Sequence, residues 1–258
     1  MNQDDPRARD RGWRAIFDQY NIDAHDFNCG PFTITADEIK DACKNLNKTS
    51  EKEPRILCTQ TSREMRPDVF KERNLFILPI ENGKYVIVRG EGYVDIPEIK
   101  SDPVKYSSKL DFSLDTSNVG DSEMQHLDYA YAVSMLRDFM DDPSLVMTIR
   151  GRKYTPEFLF ETGGFSVTVE GVQTEVDSGY EGRDRVVLVE AKNSNTLNTI
   201  IRQLYYPYRQ WGMHTSKPVF SVFFEHRGNE YHFWLFSFSD PNNYNSIKLE
   251  KSVRYLLV

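Results

Sequence analysis

Between Val172 and Asn195 the chain reads VQTEVDSGYEGRDRVVLVEAKNSN. The apolar run Val186–Val189 has the composition of a strand running through a core. Glu175, Asp177, Glu190 and Lys192 lie on or beside it. Burying ionised groups is costly unless they pair or hold a metal. Any fold for this chain must therefore bury the strand and still give these four groups water, one another or a ligand. If Gly182 to Arg185 form a turn centred between Arg183 and Asp184, Asp177 stands opposite Glu190, and Glu175 opposite Lys192. Directly opposed residues share a sheet face with β-carbons about 4.5 to 5.5 Å apart, and like charges there repel. Two-residue alternation separately puts Glu175 with Asp177, and Glu190 with Lys192, on common faces.

Two carboxylates forced together are a poor structural device and a good ligand set for a hard divalent cation. Mg²⁺ takes oxygen ligands and keeps waters that serve as nucleophiles. A neighbouring ammonium orients such a water and stabilises charge growing on a pentavalent phosphorus. The constellation suits metal-assisted hydrolysis of a phosphodiester, and the competing reading is a salt-bridged surface hairpin. The tripeptide Glu-x-Lys is weak by itself, since it recurs at Glu38-Ile-Lys40 and Glu98-Ile-Lys100. The first of these falls on a predicted helix, and the second has Asp95 and Pro97 too close for a hairpin. Only Glu190-Ala-Lys192 combines a strand, an upstream acid at hairpin distance and a following helix.

The rest of the chain predicts an α+β or α/β order with a mixed central β-sheet flanked by helices. DPRARDRGWRAIFDQYNI reads as a helix, Thr35 to Glu38 as a capping box, and NLFILPIENGKYVIVRG as a hairpin turning at Asn82-Gly83. Residues 102–120 read as a connection, and SEMQHLDYAYAVSMLRDFM as one helix with Leu127, Ala130, Leu136 and Met140 among its apolar positions. Strands follow in FLFETGGFSVTV and the acidic hairpin, then a helix from about Asn195 to Trp211, and two strands around Arg227-Gly228-Asn229 close the chain. In that last helix Leu197, Ile200, Ile201, Leu204, Tyr208 and Trp211 form a core stripe. Thr199, Gln203, Tyr206 and Gln210 form a polar ridge, and Pro207 predicts a kink. Tyr205, Tyr206 and Tyr208 read as packing residues.

At 258 residues, 39% hydrophobic and 28% charged, the chain has the composition of a globular protein. No apolar run approaches the ~20 residues needed to cross a bilayer, and the polar start is unlike a secretory signal, which predicts a soluble protein without a membrane partner. Cys29, Cys43 and Cys58 include no Cys-x-x-Cys and no Cys/His cluster at zinc spacing, which favours a reducing cytoplasm. A net charge of −7 argues against a polycation that coats nucleic acid, yet leaves room for a local basic groove.

Asp177, the turn, and VVLV-Glu190-Ala-Lys192 resemble the D…ExK signature of the PD-(D/E)xK nuclease superfamily, type II restriction endonucleases in particular. The motif resemblance covers roughly residues 123–211. The stretches IIRQLYYPYRQW and RPDVFKERNLFILPIENGKYVIVRGEGY also look like one restriction endonuclease group. Val176 departs from the pattern, which nominally has proline before the first acid.

The resemblance implies a restriction-endonuclease-like catalytic domain over residues 116–258 and an N-terminal α/β module over 1–115 that contributes to DNA recognition. It implies that Asp177 and Glu190 hold Mg²⁺, with Mn²⁺ as a substitute and the Ala191 carbonyl as a further ligand, while Lys192 positions the attacking water. Glu175 would stand behind these ligands or keep Lys192 charged. Glu123 resembles the acid such nucleases supply from a preceding helix, although an acid in a first turn also serves the helix dipole alone. Gln203 with the tyrosines after it resembles a glutamine-and-tyrosine motif of several nuclease lineages.

The implied activity is site-specific hydrolysis of double-stranded DNA leaving 5′-phosphate and 3′-hydroxyl ends. A homodimer on a palindromic site, a cognate DNA methyltransferase and a prokaryotic cytoplasm go with it. A repair or structure-specific nuclease on the same core, and a non-catalytic DNA-binding module, are the alternatives. Candidate DNA contacts are Arg63, Arg66, Lys71 and Arg73 in the first module and Arg152 and Lys153 ahead of the hairpin, with Arg150 and the N-terminal Arg7, Arg9, Arg11 and Arg14 beside them. Acids interleave with the first-module and N-terminal sets, so ion-paired surface faces are the plainer reading of each residue.

Overall fold

The computed structural model describes residues 6–193 and 195–258, so the polar start Met1 to Asp5 and Ser194 of the hairpin segment lie outside the described residues. The first part of the chain contains α1 (Pro6–Gln19), β1 (Phe32–Thr35), α2 (Ala36–Ala42), the single turns α3 (Thr49–Lys52), α4 (Pro54–Leu57) and α5 (Asp68–Lys71), β2 (Leu75–Glu81) and β3 (Lys84–Arg89). The capping box forms: the Thr35 hydroxyl accepts from the Glu38 amide at 3.3 Å, and the Glu38 carboxylate accepts from the Thr35 amide at 2.7 Å. The β2–β3 hairpin turns at Asn82-Gly83, with Gly83 at φ +74°, a conformation glycine adopts without strain.

Those strands join β1 in an antiparallel sheet of order β1-β3-β2. Its two faces serve two cores. Leu75, Ile77 and Ile87 pack with Trp13, Phe17 and Phe70 under α1, while Phe76, Leu78, Val86 and Val88 pack against the second half of the chain. NLFILPI therefore shows no polar alternation, because neither face of its strand meets water.

The second part contains β4 (Tyr93–Asp95), β5 (Val104–Tyr106), α6 (Glu123–Ala132), α7 (Met135–Met140), β6 (Val146–Tyr154), β7 (Phe158–Thr162), β8 (Phe165–Val169), β9 (Gln173–Glu181) and β10 (Val186–Lys192). There follow β11 (Asn198–Ile200), α8 (Arg202–Gly212), β12 (Val219–Arg227), β13 (Glu230–Phe238) and β14 (Ile247–Leu257). Seven strands form one mixed sheet of order β5-β14-β13-β12-β10-β9-β6, with α8 as the crossover between the parallel neighbours β10 and β12. The expected architecture of a mixed sheet flanked by helices is thus present. Val187, Val189 and Ala191 of β10 face α6 and α7, whereas Val186 and Leu188 face Tyr208 and Trp211 of α8.

The structure corrects four local expectations. The expected single helix over 122–140 breaks at Ser134, which sits at φ +69°, and the break turns Leu136 and Met140 onto the same core as Leu127 and Ala130. The helix expected from Asn195 begins at Arg202 instead, because Asn198 to Ile200 are captured as a strand by β4. The Asn198 side chain accepts from the Arg63 amide at 2.7 Å and donates to Glu64 at 3.0 Å, while Leu197, placed on the core stripe by periodicity, is exposed. A further strand, β14, follows the two expected to close the chain. Finally, β5 lies within the segment read as a connection and pairs with β14, and β4, for which no element was expected, pairs with β11. No helix among the described residues is long and apolar enough to cross a membrane.

Candidate active site

The acidic hairpin has the expected register. Glu181 pairs with Val186, Tyr180 with Val187, Gly179 with Leu188 and Ser178 with Val189, and the turn is closed by the Gly182 amide donating to the Arg185 carbonyl at 2.8 Å. The ladder ends one pair short of Asp177 and Glu190. There the Asp177 carboxylate takes over, accepting the Ala191 amide on Oδ2 at 2.7 Å.

Beyond that point β9 carries an irregularity in its pairing with β6, between Gly179 and Val176. Such a bulge breaks two-residue alternation. Glu175 therefore does not oppose Lys192. It is exposed, and its carboxylate pairs with Arg152 at 3.2 Å. The counter-charge of Lys192 is Glu190 itself, at 2.5 Å, with a second hydrogen bond from the ammonium to the Ala191 carbonyl at 3.0 Å.

These groups line a cleft of about 540 Å³ between the end of β10, the start of α8 and the wall formed by Thr59 and Thr61. Glu123, Glu175, Asp177 and Glu190 face Lys192 and Arg202 across it, four carboxylates against two cations. Gln203 of α8 also lines it, donating to Glu190 Oε1 at 2.6 Å while its own oxygen accepts from the Thr199 hydroxyl at 2.9 Å. Two acid oxygens, Asp177 Oδ1 and Glu190 Oε2, accept no hydrogen bond among the described residues.

Burial raises the Asp177 pKa, against the pull of the Ala191 amide and Lys192. Burial likewise pushes Glu190 up to about 7, with Asp177 adding to the rise and Lys192 opposing it. Burial works against the Lys192 ammonium, but the carboxylates of Glu190, Asp177 and Glu123 outweigh it and raise the lysine pKa. The cleft thus holds a charged ammonium beside acids whose excess over the two cations, with burial, favours their protonated forms.

Two family patterns cover nearly the whole chain: a domain of unknown function, DUF6996, over residues 10–87, and a second, DUF6997, over residues 88–256. The chain belongs to the DUF6997 family. No curated protein and no solved structure matches it. The DUF6997 segment carries all four acids, Lys192, Arg202 and Gln203, whereas Thr59 and Thr61 come from the DUF6996 segment. The patterns meet inside β3, the strand both cores share.

Glu123 opens α6 and accepts the Asn193 amide at 3.1 Å, so the helix start abuts the end of the lysine strand. Other candidates are engaged elsewhere. Arg63 pairs with Glu91 and Asp95, and Arg66 donates to the Arg63 and Leu75 carbonyls. Lys71 pairs with Asp68, Arg73 with Asp23 and Arg150 with Asp128. Lys153 is exposed on β6, the outer strand of the sheet.

In α8, Tyr205 and Tyr206 are fully buried and donate to the Pro241 and Pro79 carbonyls, the packing role expected of them, and the helix runs on through Pro207. Gln210 donates to the Tyr154 carbonyl and accepts from Thr174, which ties α8 to the hairpin.

Sequence reading missed Arg202, Thr59 and Thr61. Arg202 makes no side-chain hydrogen bond or ion pair among the described residues and lines the cleft. Its position beside Gln203 was a usable signal. Nothing local marks the two threonines.

Proposed function

We propose that this chain is a Mg²⁺-dependent endodeoxyribonuclease of the type II restriction kind, cutting double-stranded DNA to leave 5′-phosphate and 3′-hydroxyl ends. The observation that carries the reading is the meeting of Asp177, Glu190 and Lys192 in one cleft, with one oxygen of each carboxylate accepting no hydrogen bond among the described residues. A cleft with an excess of acids repels a phosphodiester until a cation enters it, and an all-oxygen donor set suits Mg²⁺. Asp177 and Glu190, with the Ala191 carbonyl, would hold the ion, and Glu123 lies at the same cleft wall. Bound there, Mg²⁺ supplies Lewis acidity toward a phosphoryl oxygen and a water of lowered pKa.

The chain's own groups supply the rest. Lys192, held by Glu190 and the Ala191 carbonyl, orients the attacking water and stabilises charge on the phosphorus. Gln203 fixes the Glu190 rotamer, itself fixed by Thr199. Arg202, whose side chain makes no hydrogen bond or ion pair among the described residues, would meet the phosphate.

The test is incubation of the full chain with mixed plasmid DNA in Mg²⁺ or EDTA, beside Asp177→Ala and Lys192→Ala. Discrete Mg²⁺-dependent fragments, lost in both variants, support the proposal. Smears or cleavage at branched junctions alone support a repair nuclease, and binding without cleavage under any divalent ion overturns catalysis. A homodimer, and a DNA methyltransferase as functional partner, complete the proposal; sedimentation and the modification state of host DNA test them.

A further inference from the structure

Near the start of α6, three potential metal donors converge from distant positions in the sequence. Asp121 lies just ahead of Ser122, the residue that caps α6. His126 lies one turn into that helix, and His226 lies near the end of β12. Donor atoms of all three lie within 4.8 Å of one another. His126 Nε2 is 2.7 Å from Asp121 Oδ1, and the two imidazoles stack with centroids 3.6 Å apart and planes 19° from parallel. The His226 ring has no hydrogen-bond partner among the described residues. Both histidines line a separate pocket of about 290 Å³, with Ser117, Tyr129 and Asn229.

We propose that Asp121, His126 and His226 bind a divalent transition-metal ion of the zinc type, with the pocket holding the water that completes its coordination. Two imidazoles and a carboxylate select zinc-like ions over Mg²⁺ or Ca²⁺, which prefer oxygen throughout. Three protein ligands with a fourth position open is a known zinc arrangement. Ligand bonds of about 2.0 to 2.2 Å put tetrahedral donors roughly 3.3 Å apart. The wider donor separations, up to 4.8 Å, must therefore close by up to about 1.5 Å, the Asp121–His126 pair at 2.7 Å must open by roughly half an ångström, and the rings must leave their stack so that the ion lies in both ring planes. Asp121 can swing in, since its side chain is 90% exposed.

The ion would join α6 to β12 and steady the wall of the acidic cleft, because the Asp121 carbonyl accepts from the Asn193 side chain at 2.9 Å and the Asn193 amide holds Glu123. The inference stands apart from the nuclease reading, since it uses none of the acids of that cleft.

The test is titration of Zn²⁺ and Co²⁺ into the chelator-stripped full chain, followed by calorimetry, the Co²⁺ absorption spectrum and thermal melting. The wild type should bind one zinc per chain, melt at a higher temperature with zinc, and keep the ion against excess Mg²⁺. Asp177→Asn should bind zinc as the wild type does. His226→Gln and Asp121→Asn should each weaken binding at least about tenfold. Asp121→Asn alters an exposed side chain, so it remains informative if His226→Gln fails to fold. Absence of zinc binding, binding unchanged in Asp121→Asn, or binding lost only in Asp177→Asn would each overturn the assignment.

Discussion

Glu190 makes the cleft a liability for the folded chain above neutral pH when no cation is bound. In the unfolded chain its carboxyl ionises near the ordinary value of 4.5, whereas burial holds its proton to about 7 in the fold. Stability from this group is therefore full below 4.5 and falls as pH rises through 7. The gap corresponds to about 3 kcal/mol at 1.36 kcal/mol per decade. Glu190→Gln keeps the shape and removes the titration. Lys192 titrates above this window, so it does not contribute to the difference.

Urea unfolding followed by tryptophan fluorescence at about pH 5 and about pH 8, in EDTA, measures the effect. The wild type should lose about 2.5 kcal/mol more than Glu190→Gln between those conditions, since part of the gap is already lost by pH 5, and added Mg²⁺ should shrink the loss in the wild type alone. Parallel pH profiles for the two proteins, within about 1 kcal/mol, would refute the buried-acid argument.

Arg202→Ala should slow DNA cleavage at least about tenfold, since it removes a cation facing the phosphate, and Arg202→Lys should restore part of the rate. Gln203→Ala should lower the cleavage rate more than substrate affinity, seen as a fall in kcat with little change in KM, because it releases the Glu190 carboxylate. Trp13→Ala should cost about 3 to 5 kcal/mol in chemical denaturation, since the ring is fully buried against Phe70 at 4.6 Å and donates to the Leu57 carbonyl. Gly12→Ala should cost about 1 to 3 kcal/mol, because a β-carbon there would lie 2.4 Å from the Glu51 carbonyl oxygen; unchanged stability would mean that α1 and α3 separate easily.

Features governed by neighbours along the chain were legible in the residue order. The capping box at Thr35, the hairpin at Gly83 and the register of the acidic hairpin follow from turn chemistry and from the period of a strand. The nearness of Asp177, Glu190 and Lys192 followed from that register. The pairing of Glu175 with Arg152 rests on long-range contacts, because a bulge in β9 arises from its pairing with β6 and not from local composition. Pairing with β4, a strand that sequence reasoning did not assign, turns Asn198 to Ile200 from helix into strand and so sets where Arg202 and Gln203 enter the cleft. Cysteine and histidine spacing showed no metal site, yet Asp121, His126 and His226 meet because α6 packs on β12, a contact between segments that no local spacing rule can see.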